Sequence, residues 1–386
     1  MTGGAATGTP GWASDLGPLP AGIVERLESP VDVALLVGIA ASTELMSAVT
    51  RAGLEPVFVD DENAAARCAE FDSLALVLLN AGDSLDEVAL DLIDELRRTH
   101  PTATILLATP SDGLDPSTLL AAMRAGISDV VDPANPLALR SILGALLARA
   151  RGTRERVLAV GAHPDDVEIG CAGTLLQHRA FGDEITILTM SHGGVGGSTA
   201  QRVEESVDAA ALVGARLLLG DLPDTQVDAG VSTIRLIESV LTAIDPTVIY
   251  VHSRNDNHQD HRAVHIAVIS ASRRVPKILA YQSPSATNDF LPTNFVAIDD
   301  VISRKVEVLS MFDSQSQRAY LEPDAVLAGA RYWARHLAPR TRYAEPFEAV
   351  RTLVTDRRIG EQPKSAGSTG EDIASVTDLR TDGDAD

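Results

Sequence analysis

Short apolar runs alternate with one-faced segments along most of this chain, and their order predicts an α/β protein. Between Ser29 and Ala150 the runs Val31–Val37, Pro56–Val59, Leu74–Leu79, Thr104–Thr109 and Asp129–Val131 are nearly continuous, as in strands covered on both faces. Leu85, Val88, Ala89, Leu92, Ile93 and Leu96 recur at the three- and four-residue spacing of a helix with one apolar face. Such alternation predicts a parallel sheet with helices on both sides. A second unit of the same kind opens with strand Arg156–Gly161 and helix Val167–Arg179. It continues with strand Glu184–Met190, helix Gln201–Val213, strand Arg216–Leu219, helix Ser232–Ile244 and strand Thr247–Val251. Pro246 stands just past a helix end, where it cannot extend the helix.

The pattern fades at both ends. Met1–Gly22 is rich in Gly, Ala and Pro, and after Arg358 the chain turns to Gly, Ser, Thr and Asp with few side chains able to offset the entropy of ordering. The expected organisation is a flexible N-terminus over 1–29, an α/β domain over 30–150, a boundary at Gly152–Arg156, a second domain over 155–355, and a disordered acidic tail over 359–386. A length of 386 residues suggests two or three domains, which accommodates these two.

Composition narrows the function. The longest apolar stretch, Val33–Ala41, is broken by Gly38 and is far shorter than the roughly 20 residues that span a bilayer. Met1–Gly22 lacks the basic start and apolar core of a signal peptide, so an unexported, cytoplasmic protein without a membrane partner is expected. Cys68 and Cys171 form no metal or disulfide pattern. A net charge of -22 argues against a nucleic-acid partner, and the basic run Arg149–Arg156 reads as a solvated linker.

Two polar motifs interrupt the second unit. Ala162-His163-Pro164-Asp165-Asp166 follows the strand Arg156–Gly161, and His258-Gln259-Asp260-His261 lies beyond the strand Thr247–Val251. Ligands of open α/β sheets collect at the carboxyl ends of strands. Catalytic zinc takes imidazole and carboxylate ligands, three from the protein, and keeps a position for water. His163, Asp165, Asp166, His258 and His261 are enough for three ligands and a proton-transfer pair. Either motif alone reads equally well as a turn or a helix cap; together they point to metal-assisted hydrolysis. His261 and His265 have zincin spacing but lack the glutamate base, so His265 reads as a helix residue. Gly193–Gly197 lacks dinucleotide-loop spacing and reads as a mobile loop beside the site, and Cys171 as a small core residue.

The first unit resembles a response-regulator receiver domain through its strand order and the run Ala125-Gly126-Ile127-Ser128-Asp129-Val130-Val131. Thr109 matches the switch hydroxyl. Asn80 stands where the phosphorylated aspartate ends the third strand, Gly38-Ile39 where an acidic pair holds magnesium, and Asp132-Pro133 where lysine precedes proline. The resemblance implies a degenerate receiver-like, flavodoxin-like domain that serves as a dimerisation or docking module.

The stretch from about Arg156 to Arg351 resembles the LmbE-like/PIG-L superfamily of zinc-dependent N-acetylglucosaminyl deacetylases. The resemblance rests on the His163–Asp166 motif with Glu168 and Gly170, Arg202 and Glu205, Pro223-Asp224-Thr225-Gln226, His252 with Asp256–His261, Ser314-Gln315, and Tyr343-Ala344-Glu345-Pro346-Phe347. It implies a Rossmann-like domain in which His163, Asp166 and His261 bind zinc. Asp165 matches the general base, His258 the residue that stabilises the oxyanion or protonates the amine, and Asp260 the carboxylate that orients His258. Arg202 and Asp224 match positions at the sugar site. The implied substrate is an N-acetylated amino sugar or its conjugate, with iron(II) as an alternative to zinc and a homo-oligomer through the receiver-like half. Hydrolysis of another amide or acyl group, or a metal-containing sensor without turnover, are the rival readings.

Overall fold

The computed structural model describes residues 21–27, 32–71, 74–80, 87–109, 116–132, 141–143, 154–337 and 340–353, with Leu19 and Asn135. The acidic tail over 359–386, residues 1–18, Pro133 and the part of the basic run from Arg149 to Thr153 lie outside the described residues. No helix among the described residues is long and apolar enough to cross a membrane.

Strand β1 (Ile23–Leu27) precedes β2 (Asp32–Val37), β3 (Leu54–Val59), β4 (Leu74–Asn80), β5 (Thr104–Ala108) and β6 (Asp129–Val131). The last five form a parallel sheet of order β3-β2-β4-β5-β6. Near-continuous apolar strands require cover on both faces. Leu36, Leu76, Leu78 and Leu106 pack with helix Thr43–Arg51, while Leu35, Val77, Ile105 and Leu107 pack with Ile93 and Leu96 of helix Glu87–Thr99.

The second sheet contains β7 (Arg156–Gly161), β8 (Glu184–Ser191), β9 (Arg216–Leu222), β10 (Val248–His252), β11 (Lys277–Tyr281), β12 (Asn294–Ala297) and β13 (Ala344–Thr352). Its order is β1-β9-β8-β7-β10-β11-β13-β12. β7 to β11 run parallel, and β1, β13 and β12 join antiparallel. Helices Asp166–Ala180 and Thr199–Val213 cover one face, and Val231–Ile244 and Gln259–Ala271 cover the other. From β7 the chain builds outward through β8 and β9, then returns to place β10 against the other side of β7. That reversal opens a crevice between the carboxyl ends of β7 and β10.

Two expectations change. The sequence pattern predicts a flexible N-terminus through residue 29, yet Ile23–Leu27 pairs with β9, Ile23 opposite Gly220. The pairing covers backbone groups that would otherwise form an open sheet edge. Ile23 enters the apolar layer and Glu25 bonds Arg216. The basic run is not wholly solvated either: Arg154 Nη1 donates to Asp32 Oδ2 at 2.6 Å, and Arg156 pairs with Asp245 at 2.8 Å.

Candidate active site

β7 is buried through Gly161, so its backbone enters the His163–Asp166 turn from inside the core. Asp165 then adopts φ 90° and ψ -24°, in the left-handed region. A side-chain-bearing residue stays there only where its surroundings over-determine it. Arg202, buried on helix Thr199–Val213, supplies that constraint: Nη2 donates to Pro164 O at 2.5 Å and to Asp165 Oδ2 at 3.2 Å, and Nη1 donates to Gly193 O at 3.3 Å. Gly193 has φ +65°, and a Cβ there would lie 2.6 Å from Arg202 Nη1, so glycine is what lets the loop approach.

Asp166 opens the following helix and joins both halves of the site. Its Oδ2 accepts from the His163 backbone N–H at 2.8 Å and lies 3.3 Å from His163 Nδ1 and 3.1 Å from His252 Nε2. Its Oδ1 lies 3.3 Å from His261 Nε2. The sequence-predicted trio His163, Asp166 and His261 therefore meets at Asp166. His252 ends β10 fully buried and stacks on His261, with ring centroids 3.8 Å apart. On the far side of His261, Nδ1 lies 2.9 Å from Asp256 Oδ2. Asp256 in turn accepts from the Ser283 and Ser285 hydroxyls.

His258 caps helix Gln259–Ala271: its Nδ1 accepts the Asp260 backbone N–H at 3.2 Å. The resemblance implies that Asp260 orients His258 through its carboxylate. Instead Oδ2 accepts from Thr225 N–H at 2.8 Å and lies 3.0 Å from His163 Nε2. The capping bond has taken His258 Nδ1, so it is the Asp260 amide that fixes the ring. Asp224 also turns to His163, with Oδ1 3.1 Å from Nε2, while its Oδ2 accepts from Val195 N–H at 2.8 Å. His265 lies outside the cluster, its Nδ1 donating to His252 O at 2.7 Å.

A cavity of about 430 Å³ opens over these groups, and every predicted site residue except the fully buried Asp260 lines it. Val195 and Gly196 of the glycine-rich loop form part of its wall, with Gln315, Arg318 and Tyr320 from a segment far along the chain. Ser314 ties this last segment to the helix of Arg202, donating from N–H and hydroxyl to Glu205 at 2.8 and 2.6 Å.

The charges explain what the cluster can hold. Burial works against a charged His163, yet its hydrogen bonds to Asp166 and Asp260 push it up to about 10. Burial likewise opposes His261, but Asp166 and Asp256 push it up to about 9. Against its own burial, Asp166 is held well below the usual carboxylate range by His261 and His252. Asp165 goes the other way: burial and Asp166 push it up to about 7, while Arg202 opposes. Burial, His261 and His163 lower His258. This concentration of buried carboxylate charge draws cations. Donor atoms of His163, His258 and His261, of Asp166, His252 and His261, and of His163, Asp224 and Asp260 each lie within 4.8 Å of one another. Nitrogen and carboxylate oxygen on strand ends suit a divalent ion such as zinc or iron(II), so the residues present fit a metal.

Sequence reasoning missed His252 and Asp256 as working parts. One signal was available for His252, a polar residue ending an otherwise apolar strand. Asp256 stood in the motif that carries the family resemblance, but its role was not readable, because its serine partners come from a loop 27 and 29 residues away.

The family model described as PIG-L, GlcNAc-PI de-N-acetylase, matches residues 158–272. An uncharacterized deacetylase of Escherichia coli K12, YaiS, is 30% identical over 167 residues, which are 41% of this chain and 90% of that protein. Among solved structures, a conserved protein of Thermus thermophilus is 25% identical with a TM-score of 0.47, over 52% of this chain and 96% of its own. An N,N'-diacetylchitobiose deacetylase of Pyrococcus horikoshii is 19% identical with a TM-score of 0.46, over 53% and 90%. With the matched span holding both motifs, and a relative covered almost end to end, the chain belongs to the PIG-L family of deacetylases.

Proposed function

We propose that this protein is a zinc-dependent hydrolase that removes the acetyl group from an N-acetylated amino sugar or its conjugate. The observation that carries this reading is Asp165. A carboxylate held in strained backbone, clamped by Arg202 and facing a cavity beside a cluster that fits a metal, supports the role of base over that of ligand.

His163, Asp166 and His261 are the proposed ligands. Zinc held there would supply a Lewis acid for the acetamide carbonyl and a water whose pKa falls to about 7. Asp165, pushed up to about 7, is matched to accepting the attacking water's proton near neutrality. With Nδ1 occupied by the Asp260 N–H, a neutral His258 carries its proton on Nε2 and donates it as a hydrogen bond to the oxygen that gains charge. Water adds to the acetamide carbon, the C–N bond breaks, and Asp165 returns its proton to the departing nitrogen. Acetate and free amine result.

Residues 30–150 are, on the same footing, a degenerate receiver-like module for docking or dimerisation in a cytoplasmic protein. Their strand order has the second strand at the edge and the first beside the third, the flavodoxin-like arrangement. Acetate release measured on N-acetylglucosamine conjugates and on a panel of other amides tests the substrate class. Faster release from an unrelated amide would replace the amino sugar in this reading.

A further inference from the structure

Behind the cavity, the helix that Asp166 opens is broken. Cys171 has φ -149° and ψ 17°, outside the helical region, so one short helical piece ends there and a longer one begins. A break strands carbonyls at the end of the first piece and N–H groups at the start of the second.

One buried ion pair from much later in the chain satisfies both. Lys305, on helix Ile302–Ser310, donates from Nζ to Ile169 O at 2.8 Å. Glu345, on β13, accepts from Gly173 N–H at 2.9 Å, Thr174 N–H at 2.7 Å and the Thr174 hydroxyl at 2.6 Å. The two side chains also bond each other, and the residues are only 5% and 2% exposed. The signs suit the helix dipoles, with a cation at the carbonyl end and a carboxylate at the N–H end. Gly173 makes room: a Cβ there would lie 3.0 Å from Glu345 Oε1 and 2.9 Å from Ile298 Cγ2.

Stability alone is a weak reason for this arrangement, because a well-packed apolar pair often does as well as a buried ion pair. Its location supplies a better one. The piece it grips carries Asp166 at one end and puts Ile169 on the cavity wall, and it follows directly on the strained Asp165. A helical piece this short has no stability of its own, so its orientation depends on its packing, with Val167 in the core and Gly170 against Tyr281, and on what holds its two ends. At the front is the bond from His163 N–H to Asp166, and at the back is Lys305.

We propose that Lys305 and Glu345 are positioning residues that lock the helix break at Cys171, and so hold Asp165 and Asp166 in the geometry of base and metal ligand. Neither lines the cavity; they act through the turn. The proposal rests on the metal-ligand reading of Asp166 given above.

The test uses the full chain with Lys305→Met/Glu345→Gln, which removes both charges together and keeps one oxygen acceptor for the second piece. Hydrogen exchange is followed in metal-free protein, zinc affinity by chelator competition, and kcat and KM separately. Expected are amides at 166–170 that exchange at least about tenfold faster while those of β8 are unchanged, and zinc affinity about 10- to 100-fold weaker. kcat should fall with KM within about twofold of wild type. Lys305→Arg, which keeps a cationic donor, should recover most of the loss. Should the double variant not fold, Glu345→Asp keeps the charge, shortens its reach and is expected to show the same local pattern. Wild-type exchange at 166–170 in a folded variant, or faster exchange spread evenly over the chain, would overturn the proposal. If the wild-type protein itself takes up no zinc, the ligand reading fails, and the exchange pattern still decides whether the clamp exists.

Discussion

The two sheets of this chain reverse strand order in the same way, but the side chains described at the two crevices differ. In the first, the reversal lies between β2 and β4, and Asn80 Nδ2 donates to Gly38 O at 2.9 Å across it. That amide itself brings no charge, base or metal ligand, and the nearest carboxylate to Gly38 is that of Asp61. In the second, β7 and β10 deliver His163, Asp165, Asp166, His252, His258 and His261 to one place. Backbone topology therefore supplies a location in both, and among the described residues the side chains at the strand ends are what distinguish them.

The largest effects should come from emptying the second crevice. His163→Ala or His261→Ala is expected to abolish zinc retention, and metal analysis checks it; stoichiometric zinc in the double variant would remove both from the ligand set. Asp165→Asn should keep zinc and lower kcat by roughly 10²- to 10⁴-fold, the usual contribution of a general base. Turnover near wild type in that variant would assign the base elsewhere.

A smaller and more specific change is expected from Arg202→Ala. Asp165 must be ionised to accept a proton, and the Arg202 charge lowers its pKa against the burial and Asp166 that together hold it up at about 7. Without that charge Asp165 protonates more readily, so the acidic limb of kcat/KM moves to higher pH. An unmoved limb would separate Asp165 from the pH dependence. The smallest effect belongs to the first sheet. Asn80→Ala is expected to leave kcat/KM within about twofold, and acetyl phosphate should add no phosphoryl mass to the wild-type chain. A phosphorylated product would end the contrast between the two crevices.

Much of this arrangement was legible because apolar strands announce themselves. β7 is the same six residues in sequence and structure, and the motif following it stands where open sheets bind ligands. β1 was not legible: five residues, Ile-Val-Glu-Arg-Leu, in a Gly- and Pro-rich setting carry too short an alternation, and their pairing depends on a partner some 190 residues on. β11, β12 and β13 also went unread, and β12, with four half-buried residues, shows no periodicity at all. Within the site, residue types were readable and contacts were not. The expected contact of His258 with the Asp260 carboxylate is replaced by one with its amide, which follows from where the helix begins. The Cys171 break leaves only the weak mark of Gly170 and Gly173 in a segment otherwise read as continuous helix, so the role of Glu345 is visible only when β13 is folded against it.

Metal dependence is tested most directly by acetate release from an N-acetylglucosamine conjugate, followed while the protein is stripped with a chelator and then titrated with zinc. Release should stop on stripping and return in full at one equivalent of zinc. Undiminished release from metal-free protein would contradict metal dependence.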